Sequence, residues 1–167
     1  AVAAYFAFLR PDAEILPTPT VTAEAPEPTA VPAAYVEPST FLAQLPDTVG
    51  TDVLVSYTAT DTLGDDSLPA RAAEHYTLEY GPGSGEVTST VDAYQHYTTD
   101  EAQAAYDVYA DGAIDVEDVT VNGTVVGERA YFTQGSEGTV VWRNNTAVFV
   151  LTGAADDVLH FYEHYGV

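Results

Sequence analysis

Eight of the ten prolines in this 167-residue chain fall between Pro11 and Pro46. That clustering limits where a core can form. Proline removes a backbone donor and fixes φ, so the run from Pro17 through Pro19, Pro26 and Pro28 to Pro32, spaced with Thr, Glu, Ala and Val, favours an extended polyproline II course. About 20 such residues at ~3.1 Å each would form a stiff spacer roughly 60 Å long. The chain therefore reads in three parts: an apolar stub over 1–10, a Pro/Thr/Glu-rich linker over 11–38, and one folded domain over 39–167.

Ala1 to Leu9 is wholly apolar and is closed by Arg10-Pro11. Nine residues cannot span a bilayer, which needs about 20. The stub reads as the outer end of a spanning helix that begins upstream, with Tyr5 and Phe8 near the interface. The other reading is a segment packed on its own domain. A spent signal peptide fits less well, because the residues are still in the chain.

Charge decides which partners fit. Asp and Glu total 26 against four Lys and Arg, all four being arginine, for a net charge of −22. Phosphate recognition needs a cationic surface, so nucleic-acid binding is excluded, and attraction to anionic lipid is disfavoured. The field favours cations and basic proteins, although adaptation to high salt would give the same composition. Without cysteine, disulfides, thiolate chemistry and cysteine-ligated metals are excluded.

From Ser39 onward the signals are those of a folded domain. Ser39 to Leu45 reads as a short helix stopped by Pro46, Asp52 to Thr60 as a strand, and Ser67 to about Glu74 as a short helix with Pro69 in its first turn. Tyr76, Leu78 and Tyr80 alternate with polar residues. Gly81 to Gly85 then turns the chain into a return strand carrying Val87, Ser89, Val91 and Ala93 on one face. That glycine cluster leads into a strand and lacks the Lys-Ser/Thr pair of a phosphate loop, so it is a turn.

Thr98 and Glu101 make a capping box for a helix with Ala102, Ala105, Tyr106 and Tyr109 on one face and Gly112 at its end. Asn122-Gly123 between β-branched runs predicts a tight hairpin. Asn144-Asn145 predicts another, between Thr139–Arg143 and Thr146–Thr152. A last helix is expected over 155–165. The pattern predicts an α+β fold: an antiparallel sheet of about five or six strands with two main helices on one face.

Several constellations carry chemistry. Asp107, Asp111, Asp115 and Asp118 stand at positions 1, 5, 9 and 12 of a calcium-loop pattern with Gly112 at position 6. Tyr109 occupies position 3, where a ligand belongs, and a hairpin follows instead of a helix. His160-Phe-Tyr-Glu-His164 puts two imidazoles on one helix face, as in one class of zinc peptidases. Here they also form the polar stripe of an amphipathic helix whose Val158, Phe161, Tyr162 and Tyr165 face inward. Asn122-Gly-Thr124 and Asn144-Asn-Thr146 match the N-glycosylation pattern but also serve as turns. Tyr94 and Tyr97 suit stacking or a half-buried sheet face, and Trp142 suits a core edge or an interface. No catalytic residue and no cofactor are assigned.

The segments Ala73-Glu-His-Tyr76, Thr99 to Tyr106, Val126-Gly-Glu-Arg-Ala-Tyr131 and Val140 to Gly153 resemble small secreted or membrane-anchored bacterial α+β domains of unknown function. The resemblance covers about three quarters of the chain. It implies an extracytoplasmic domain, periplasmic or at the cell surface, and no active-site residues.

The expected function is that of a non-catalytic, membrane-tethered accessory subunit of a larger membrane assembly, with an electron-transfer complex as the leading host. Its partners are the other subunits and a basic soluble protein. The alternative is an independent calcium- or ligand-binding sensor or adhesion module.

Overall fold

A computed structural model describes residues 27–166. The apolar stub and most of the linker lie outside that range. A 3-10 turn at Leu42–Gln44 precedes β1 (Thr48–Val49), β2 (Asp52–Thr60), β3 (Ala72–Gly81) and β4 (Ser89–His96). After helix α1 (Thr99–Tyr109) come β5 (Asp115–Val121), β6 (Thr124–Gln134), β7 (Glu137–Asn144), β8 (Ala147–Ala154) and helix α2 (Val158–Tyr165).

All eight strands join one antiparallel sheet in the order β1-β2-β3-β4-β8-β7-β6-β5. Two four-stranded meanders are thus zipped together along β4 and β8. The expectation of five or six strands with both helices on one face is overturned: the sheet has eight, and the helices cover opposite faces. In β7, Val141 packs with Ala102, Ala105 and Tyr106 of α1. Its neighbours Val140 and Trp142 pack with Val158, Phe161 and Tyr165 of α2. Successive strand residues point to opposite faces, so the two helices must lie on either side.

The strand count was short for physical reasons. β1 has two residues, too few to show a period. The first half of β5 is the acidic run Asp115 to Asp118, which resembles a loop. The one-face arrangement fails because the central strands are buried on both sides. β8 runs Ala147-Val148-Phe149-Val150-Leu151, and such a continuous apolar stretch signals cover on both faces. The short helix expected over 67–74 is also replaced: the chain turns through 62–70 and β3 begins at Ala72.

The α2 face holds the larger core. Trp142 is fully buried, not at an edge, stacked 4.8 Å from Phe149 and edge-on to Tyr165 at 5.3 Å. Burying rings of this size contributes more than any other residue type. Gly138 lets α2 approach: a Cβ there would stand 2.6 Å from Val158 Cγ1 and 3.0 Å from Ala155 Cα.

The end of the linker is seated on this domain. Ala33 N donates to Leu54 O at 2.7 Å, and Tyr35 meets Tyr57 edge-on at 5.2 Å. Gly83 sits against Ala30, where a Cβ would come within 1.9 Å of that residue's Cβ. The Asn122-Gly123 hairpin forms as read, with Asn122 at φ 50°. The second closes one residue later than expected, on Asn145-Thr146, with Asn145 at φ 53° and Asn144 paired to Ala147. Asparagine tolerates this left-handed region better than most residues. Thr98 caps α1 by accepting from Glu101 N at 3.2 Å.

Candidate interaction surface

The three arginines among the described residues are all engaged within the domain. Arg71 lies over the Tyr97 ring at 5.0 Å. Arg129 Nη2 reaches Asp115 Oδ2 at 3.0 Å and Glu117 Oε2 at 2.8 Å, with its guanidinium 5.6 Å from the Tyr162 ring centroid. Arg143 Nη1 donates to Val126 O and Asn145 O, both at 3.4 Å. Arg71 is itself exposed, so the domain's outward field is that of many carboxylates against one surface cation among the described residues.

At the β5 end, carboxylates crowd on both faces of the sheet. Asp115 and Glu117 share the single guanidinium of Arg129 on the α2 face. On the α1 face, Asp118 pairs in register with Glu128, so two like charges stand directly opposite. Gln103 of α1 bridges the neighbouring acids, donating to Asp107 Oδ1 at 2.8 Å and to Glu128 Oε2 at 3.3 Å.

This arrangement separates the calcium-pattern residues. Asp107 belongs to α1 and Asp111 to the turn after it. Asp115 is turned to Arg129 on one face of β5, and Asp118 to Glu128 on the other. Among the described residues, no three His, Cys, Asp or Glu side chains converge as a metal site would require.

His160 and His164 share a helix face as expected, with ring centroids 4.3 Å apart. His164 Nδ1–H donates to His160 O at 2.8 Å, which leaves its Nε2 lone pair outward. Together with Asp157, Val49 and Phe161 they line a cleft of about 330 Å³. A second cleft, of about 210 Å³, has Phe41 and Phe149 among its walls with Gln44, Gln95 and Asn145 beside them.

Sequence reading missed a polar column on the α1 face. His75 Nε2 and Thr77 Oγ1 both bond Asp92 Oδ1, at 3.1 and 2.6 Å. Tyr94 is stacked between His75 at 4.2 Å and Tyr109 at 5.4 Å. Burial works against the Asp92 carboxylate, but the bonds from His75 and Thr77 outweigh it and hold its pKa below the ordinary value. His96, 3% exposed, donates Nδ1–H to Arg71 O at 2.8 Å. Its Nε2 is buried without a partner, and burial pushes the imidazole pKa down. Alternation was the available signal: His75, Thr77, Asp92, Tyr94 and His96 occupy the positions opposite the apolar set in β3 and β4. These groups knit β3 and β4 together.

No family model and no curated protein matches this chain. Among solved structures, a crystal structure of a GTP binding regulator from Thermotoga maritima is similar over 68% of this chain and 74% of that one, at 14% identity and a TM-score of 0.41. So slight a likeness carries no argument about either fold or function. Among the described residues, no helix is long and apolar enough to cross a membrane.

Proposed function

We propose that this chain is a non-catalytic accessory subunit of a membrane protein assembly, tethered through its N-terminal segment and presenting an acidic extracytoplasmic domain for protein–protein contact. The observation that carries the reading is the charge balance: 26 Asp and Glu stand against four arginines. Of the three described arginines, Arg129 is buried in an ion-pair cluster and Arg143 is half-buried against backbone carbonyls, which leaves Arg71 as the one exposed cation among the described residues. A field of this sign speeds encounter with basic proteins by ~10- to 10³-fold and fades as salt rises. An assembly that exchanges electrons with small basic carriers is the leading host.

The seating of Ala30, Ala33 and Tyr35 on the sheet supports the tether, because the domain would then hold a defined attitude to the segment that leads into it. Mild detergent extraction of the native membranes tests the proposal. The chain should sediment with the membranes and then elute far above the mass of a lone copy. Recovery as a free monomer in the aqueous wash would sink it.

A further inference from the structure

We infer that the outer edge of β5 accepts an extended, basic segment of a partner protein by strand addition; this names the contact surface of the interaction domain proposed above and rests on that reading. β5 is seven residues long and, among the described residues, pairs with β6 alone. Alternate N–H and C=O groups of such an edge point away from the sheet and form a template for another strand.

Two of the usual guards of an edge are absent here, and the charges that remain are all acidic, which repel a like strand and admit a basic one. Asp115-Val116-Glu117-Asp118-Val119-Thr120-Val121 contains no proline and no lysine. The irregularity in its pairing lies between Val119 and Thr120, leaving Asp115 to Val119 in continuous register. Just before the strand, Ile114 N donates to Tyr131 O at 3.0 Å, which ties the entry into β5 to β6. Ile114 is 73% exposed and Val116 57%, so an incoming strand would cover apolar surface as well as satisfy main-chain groups.

Charge selects the occupant. On the α2 face one guanidinium serves two carboxylates, which leaves a net negative charge. On the α1 face the opposed pair Asp118 and Glu128 has no ion-pair partner among the described residues. A second copy adding β5 to β5 would bring further carboxylates against these, at a cost. A strand carrying Lys or Arg at alternate positions would set its cations along the Asp118–Glu128 face and relieve the repulsion.

The test uses the full chain and, as probe, a peptide of about ten residues alternating Lys with Val, as strand addition requires. Amide shifts should concentrate in residues 115–121. Methylating alternate peptide nitrogens should weaken binding at least about tenfold by removing main-chain bonds. Asp118→Lys relieves the opposed carboxylates, so the domain stays folded; it should weaken binding by a similar factor. Shifts scattered over the acidic surface, or indifference to methylation and to Asp118→Lys, would overturn the inference. So would β5-mediated dimerisation without peptide, which would make a second copy the occupant. If the peptide fails while the chain still elutes with a membrane assembly, the edge assignment falls and the accessory-subunit reading stands. Peptide binding with no such co-elution would be the reverse outcome.

Discussion

The sheet has two edges, and the linker is seated at only one of them. At one, β1 is two residues long, and Ala33 and Tyr35 of the linker lie over the adjoining β2, bonding Leu54 O and packing on Tyr57. At the other, β5 runs seven residues with six of them exposed. The core explains the contrast. Tyr80, Trp142, Phe149 and Tyr165 are buried under β3, β7, β8 and α2, and the apolar layer thins toward β5, where Val116 and Val121 remain open to solvent. A chain can leave an edge open where little core depends on it, and contact surfaces are drawn from such regions.

The comparison breaks first at the core. Trp142→Ala should destabilise the whole domain by about 3–5 kcal/mol in urea unfolding. Val121→Ala, at the open end, should stay within about 0.5 kcal/mol. Equal losses would mean that β5 is as integral as the centre. Gly138→Ala should cost about 1–3 kcal/mol through the clash with Val158 and Ala155.

Arg129→Gln should remove on the order of 1 kcal/mol, because its partners are partly solvated. Its more telling readout is hydrogen exchange. Amides of β5 should exchange faster, while those of β2 and β3 hold their rates. Uniform acceleration would show one cooperative unit, with no separately loose edge.

Acid should weaken the β3–β4 region through His96. Its folded pKa is depressed, so its contribution is complete above the unfolded value of about 6.5 and is lost as pH falls through that value toward the folded pKa. Replacing it by His96→Asn should flatten the dependence of the unfolding midpoint between roughly pH 7 and 5 relative to the parent. An unchanged slope would remove the imidazole as its source. At the open edge the sign reverses: Asp118→Lys should stabilise by about 0.2–1 kcal/mol, an effect that fades with salt.

Local chemistry was legible in the sequence where it was self-sufficient. Asn122-Gly123, the Thr98 cap and the Tyr76–Leu78–Tyr80 alternation each specify their own geometry within a few residues. The sheet order was not legible, since nothing local marks β4 as the neighbour of β8. Nor was the second buried face, whose His75, Asp92 and His96 look like solvent-facing residues until α1 and the 62–70 turn cover them. The acidic run at β5 suggested a metal loop because the calcium pattern counts spacing along the chain, whereas pairing with β6 sends Asp115 and Asp118 to opposite faces. The edge itself announces nothing in sequence, as openness is a property of what does not pair.

β8 follows the other seven strands along the chain, yet it lies fifth across the sheet, between β4 and β7. A nascent polypeptide emerging from the ribosome would therefore hold two unfinished half-sheets, with β4 and β7 each bare on one flank, until residues 147–154 arrive to close the seam. Late joining of distant segments slows folding and leaves sticky intermediates exposed. For this polypeptide, the hazard of misassembly during synthesis concentrates at what becomes the best-protected place in the finished molecule.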